Sequence, residues 1–135
     1  MKRNRINRMK GLHWLLAASL VTAPGCVAAA AAGAGGALYV TSRGAASLVQ
    51  GQPAEVAPKV TAAFSAFQIE QTANSTENGG DKQEFKGTKG DLEVTVSLER
   101  KSPTTTNVEV TARKNLAEWD KDFAKQVLQR IVATS

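Results

Sequence analysis

Apolar and polar positions alternate most strictly in Leu92–Arg100. There Leu92, Val94, Val96 and Leu98 interleave with Glu93, Thr95, Ser97 and Glu99. A period of two puts the first set on one face of a β-strand and the second set on the other. Val108, Val110 and Ala112 alternate in the same way with Glu109, Thr111 and Arg113. The polar stretch Ser102–Asn107, which contains Pro103, joins the two runs and predicts a hairpin.

Two other segments carry the helical period. Val56, Val60, Phe64 and Phe67 fall on one stripe of Pro53–Phe67. Pro58 fits best near a helix start, so the regular turns are expected from about Ala57. At the C-terminus Leu116, Trp119, Phe123, Val127, Leu128 and Ile131 form a longer stripe, with Asn115 as the expected cap. Helical spacing makes Phe64, Phe67, Trp119 and Phe123 structural core aromatics rather than ligand contacts.

The remaining strands are weaker. Ala37–Gln50 reads as one long strand or two short ones, with Leu38, Val40 and Leu48 on one register and Gly44 at a bend. Gln68–Ala73 and Glu84–Lys89 read as short strands on either side of the turn-forming stretch Asn74–Lys82. The expected domain spans residues 37–135 and is α+β. It has an antiparallel sheet of about four strands with two amphipathic helices packed on one face, leaving the other face polar.

Charge changes this picture less than its total suggests. The chain has 17 basic and 12 acidic residues, a formal net charge of +5. Five of the cations, Lys2, Arg3, Arg5, Arg8 and Lys10, lie before Cys26 in a segment without acid. From Cys26 onward 12 basic residues therefore face 12 acidic ones. A nucleic-acid footprint needs a basic patch in the folded part, and none is legible, so no nucleic-acid partner is expected.

The first 25 residues have their own logic. A basic stretch to Lys10, the apolar run Leu12–Val21 and the small residues before Cys26 follow the order of a secretory signal peptide. The apolar run is about ten residues, half of what a spanning helix needs. An uncleaved single-span reading has to continue the helix through Pro24, at a cost of about 3 kcal/mol. Residues 26–36, CVAAAAAGAGG, are low in complexity and read as a tether.

Ala23 and Gly25 followed by Cys26 look like the lipobox of bacterial lipoproteins, with Ala23 and Pro24 in place of its more usual residues. The whole arrangement resembles a family of small bacterial lipoproteins of unknown function. The likeness covers the Gly25-Cys26 junction, the Ala/Gly-rich tether, the Leu38-Tyr39-Val40 opening, the first helix, the hairpin and the amphipathic C-terminal helix. The resemblance implies cleavage between Gly25 and Cys26 and lipid on the Cys26 sulfur. It also implies an envelope location, in the outer membrane facing the periplasm, because Val27 is not aspartate.

Chemistry adds mostly exclusions. Cys26 is the only cysteine and His13 the only histidine, and His13 lies in the leader. A chain starting at Cys26 has no histidine for zinc or for a Ser-His or Cys-His nucleophile. Glu118, Asp120 and Asp122 offer carboxylates, but acids in a helix's first turns ordinarily serve its dipole. No cofactor and no metal is expected. The function expected is a non-catalytic, lipid-anchored envelope protein with a membrane contact through Cys26 and envelope protein partners. A small-ligand or envelope-polymer binding module and an uncleaved membrane protein are the alternatives.

Overall fold

A computed structural model describes residues 37–134. The leader, the Gly25-Cys26 junction and the tether lie outside the described residues. The elements run β1 (Leu38–Val40), β2 (Gly44–Gln50), α1 (Pro53–Ala66), β3 (Glu70–Glu77), a 3-10 turn at Asn78–Gly80, β4 (Lys82–Lys89), β5 (Leu92–Ser102), β6 (Thr105–Arg113) and α2 (Lys121–Ala133). The class is α+β, as the sequence patterns predict. The sheet has six strands rather than about four, all antiparallel, in the order β1-β2-β6-β5-β4-β3.

Register explains why the two helices share a face. Val96 lies opposite Val110 and Phe85, and Leu98 opposite Val108. Residues opposed in an antiparallel ladder point to the same side. These side chains join Ala45 and Val49 of β2 in a single core with Val56, Val60 and Phe64 of α1 and with Val127, Leu128 and Ile131 of α2. Helix α2 lies over β1, β2 and β6, and α1 over β3, β4 and β5. At one end of the helix pair the Phe67 and Phe123 rings meet edge to face, 5.6 Å apart at 81°.

Small residues set how close these layers come. Gly87 lies beneath α1. A Cβ there would stand 2.6 Å from Ile69 Cγ2 and 2.8 Å from the Glu70 carbonyl oxygen. Gly44 is as tightly placed against the Val110 carbonyl of β6. The run Gly44-Ala45-Ala46-Ser47 is wholly buried, whereas Leu48 and Val40 are exposed. The sequence register of Leu38, Val40 and Leu48 is therefore corrected. The chain turns back at Thr41–Gly44, so Leu48 ends on the face opposite Leu38 and Val40.

Helix α1 starts at Pro53, not near Ala57. Its first turn is held by Glu55, whose carboxylate accepts the Gln52 backbone N–H at 2.7 Å. Pro58 lies inside the helix on its exposed side. The hydrogen bond it lacks would have gone to the carbonyl of Ala54, which is also exposed and can turn to water. Gly51, at φ +112, makes the turn into α1. Its N–H donates to the Thr104 carbonyl and its own carbonyl accepts from Thr106 Oγ1, both at 2.8 Å.

Strand β3 runs through Asn74–Glu77, where the sequence suggests a turn. Every residue in it is exposed. Helix α1 reaches this edge strand only marginally and buries none of its side chains, so no alternation marks it. A bulge between Gln71 and Ala73 interrupts its pairing with β4.

The packing predicts two outcomes in urea denaturation. Phe64→Ala should lose about 3–5 kcal/mol, because a fully buried ring leaves a cavity. Gly87→Ala should lose about 1–3 kcal/mol through overpacking against Ile69. A midpoint unchanged by either substitution would contradict the close approach of α1 to β4.

Candidate functional surfaces

Beyond β6 the chain turns back on itself before α2 begins. Arg113 and Trp119 form an antiparallel bridge, and the Asp120 N–H donates to the Ala112 carbonyl at 2.8 Å. Between them Asn115 Oδ1 accepts the N–H groups of Ala117 and Glu118, each at 3.0 Å. Asn115 Nδ2 donates to Glu118 Oε2 at 3.1 Å, and Lys114 N–H to the Glu118 carbonyl at 3.0 Å. Leu116 stands at the crest of this turn, 91% exposed.

Two corrections follow for the C-terminal helix. Asn115 caps the turn, not the helix. Asp120 caps α2, its Oδ1 accepting the Phe123 N–H at 2.9 Å. Leu116 and Trp119 match the helical spacing of Phe123 and Val127, but the bridge to β6 holds them outside the helix. Trp119 is half-buried and does not belong to the core. The Arg43 guanidinium lies over its ring, 5.6 Å from the centroid. That contact ties the β1–β2 turn to the turn before α2. Of the four expected core aromatics, Phe64 is fully within the core, while Phe67 and Phe123 are half-buried against it.

Two shallow clefts flank the Asn115 turn. One, of about 400 Å³, is lined by Lys114, Glu118, Trp119, Asp120, Lys121 and Asp122. The other, of about 270 Å³, is lined by Asp91, Glu93, Arg113, Lys114, Asn115 and Leu116. The three carboxylates noted in the sequence thus meet in the larger cleft, beside two lysines and one indole. Sequence reasoning placed Trp119 elsewhere. Its only local signal is Asp120, a residue as good at capping as Asn115, which lets a helix begin one residue later. Among the described residues no cluster of histidine, cysteine or carboxylate side chains is arranged to hold a metal ion.

The larger surface is the sheet face that the helices leave open. Thr95 lies opposite Thr111, Ser97 opposite Glu109, Glu99 opposite Asn107 and Glu93 opposite Arg113. These residues are the polar partners read from the hairpin alternation. Ion pairs cross or edge this face between Glu93 and Arg113 at 3.1 Å, Glu84 and Lys86 at 3.1 Å, and Glu77 and Lys82 at 3.3 Å. Exposed pairs of this kind contribute little to stability. At the β1 side Tyr39 reaches across β2, and its hydroxyl donates to Asn107 Oδ1 at 3.0 Å. Ala46 lies between Tyr39 and Glu109 in the ladder and is buried although it points to the open face.

Neither a protein-family model nor a curated protein sequence matches the chain. The reading of these surfaces therefore rests on their geometry and chemistry.

Trp119→Ala should cost about 1–2 kcal/mol, from partial burial and the lost cation–π contact. That is less than the about 3–5 kcal/mol of a ring wholly in the core. Asp120→Ala should cost about 0.5–2 kcal/mol as a lost cap. Chemical denaturation of both variants checks the assignment, and a larger loss at Trp119 than at Phe64 would return Trp119 to the core.

Proposed function

We propose that this is a non-catalytic, lipid-anchored protein of the bacterial cell envelope whose α+β domain serves as an interaction module. One observation carries the domain part of the reading. Both helices cover one sheet face, and the opposite face of β4, β5 and β6 is left as a field of threonine, serine and paired charges. Such a face needs no partner to stay in water, and it offers hydrogen-bonding groups in fixed register to one that arrives. The anchor part is supported by the leader's order and by the position of Cys26 before the tether. The outer membrane, facing the periplasm, is the location proposed.

The larger cleft supports a second reading, a module for a small ligand or an envelope polymer. A half-buried indole beside carboxylates and lysines combines an apolar plate with hydrogen-bonding groups. Once residues 1–25 are removed, Trp119 is the only tryptophan in the chain. A saturable change in its emission on titration with soluble envelope glycan fragments would favour this second reading.

No helix among the described residues is long and apolar enough to cross a membrane. An uncleaved single-span protein would have to cross with residues outside them.

The intact mass of the membrane-extracted protein, measured beside Cys26→Ala, tests the anchor. The expected wild type has lost residues 1–25 and gained acyl mass, and the variant has done neither. A full, unmodified wild-type chain would overturn the lipid reading. A photo-crosslinking residue at Ser97 should trap an envelope partner in cells, and one at Lys59 on α1 should not. Equal trapping at the two positions would count against the open face.

A further inference from the structure

We propose that the β1–β2 edge of the sheet rests on the headgroup layer of the membrane that holds the lipid on Cys26. The proposal deepens the anchored reading and rests on it. The two edges of this sheet differ in chemistry. Among the described residues four large apolar side chains are exposed, and three of them, Tyr39 at 44%, Val40 at 60% and Leu48 at 47%, belong to β1 and β2. They lie on both sides of the sheet, because Val40 shares a face with Ala45 while Tyr39 shares one with Ala46. The β3 edge is polar except for Ala73 and has Glu70 and Glu77 at its ends.

Charge adds a smaller difference, since Glu109 lies opposite Ala46 and β4 beside the β3 edge carries Lys82, Lys86 and Lys89. Residues 37–50 contain Arg43 and no acid. Helix α2 lies over β1 and β2, and its exposed positions include Lys121, Lys125 and Arg130 against Asp122. An apolar edge bordered by cations suits an anionic headgroup layer, with the aromatic ring at the interface. Tyr39 fits that position because its hydroxyl is already hydrogen-bonded to Asn107.

Position along the chain puts a bilayer within reach of this edge, and the edge's apolar side chains favour it over the polar β3 edge. Eleven residues separate Cys26 from Leu38, and fully extended they span at most about 40 Å. The chain enters the domain at β1, so this edge is the one joined most directly to the anchor. The β3 edge lies five strand spacings away, about 24 Å. A second copy of the chain fits less well, because β1 offers only three residues for pairing.

The test uses the full-length protein, extracted from bacterial membranes with its intact mass recorded. It is reconstituted into phosphatidylethanolamine/phosphatidylglycerol vesicles. Val40→Cys, Leu48→Cys and Thr76→Cys each carry an environment-sensitive NBD fluorophore, and headgroup-region nitroxide lipids serve as quenchers. All three positions are exposed, so the label displaces no core contact. An unacylated preparation is labelled in the Cys26→Ala background. Quenching at positions 40 and 48 is expected to exceed that at position 76 by at least about twofold, as for groups held in the interface. Quenching at 40 and 48 no greater than at 76 overturns the proposal. If unlabelled Val40→Cys then forms a disulfide between two chains under a mild added oxidant, a second copy covers the edge instead. The mass reports separately on the anchor. An acylated chain with an unquenched edge sinks this proposal alone, and an unacylated chain from the native membrane sinks the lipid anchor and this proposal with it.

Discussion

The structure depends on one sheet face being apolar along four adjacent strands. Val96, Val110, Phe85 and Leu98 become neighbours only through the ladder, and they present a surface that water disfavours. Neither helix could hold its stripe out of water alone, and neither could the sheet. Packed together they form one continuous cluster. Both connections to the helices obey this constraint. The Gly51 turn fixes the start of α1 against β6, and Ile69 N–H, bonded to the Phe64 carbonyl at 2.8 Å, closes the helix as β3 begins.

That one-sided burial also decides where chemistry can appear. The described hydrophobic side chains are mostly used inside, beneath helices brought close by Gly87 and by the Gly44–Ser47 run. The two clefts described above lie at the end of the sheet where the chain leaves β6 and turns to enter α2. There the Asn115 network and the Arg113–Trp119 bridge hold a rigid turn, with Leu116 at its crest. The open sheet face is broad and polar, and it is suited to contact rather than to a reaction that needs desolvated groups. The apolar β1–β2 edge and the polar β3 edge give the sheet two chemically different ends.

Much of the core was legible in the sequence. The β5–β6 alternation survives residue by residue, and the stripe of α2 from Phe123 to Ile131 is the one that the helix buries. Polar positions on the open face were equally legible, because a period of two assigns both faces at once. Edges and joins were not. β3 shows no alternation since none of its side chains is buried, even where α1 reaches it. Leu48 looked like a companion of Leu38 until the Thr41–Gly44 turn reversed the chain between them. Trp119 had helical spacing, but its backbone forms a bridge to β6, and a contact of that kind has no signature in local periodicity.

The sequence by itself determined which residues can be core, because the free energy of removing apolar surface from water belongs to each side chain wherever it ends. It also determined the position of Cys26 behind a signal-like leader and the near balance of charge beyond it. Only the tertiary structure decided the six-strand order, the face on which each β1 and β2 residue falls, and the departure of Trp119 from the helix. Those outcomes depend on hydrogen bonds between residues distant in the chain, such as Tyr39 with Asn107 and Gly51 with Thr104 and Thr106. A local pattern carries no record of which distant backbone will supply the partner.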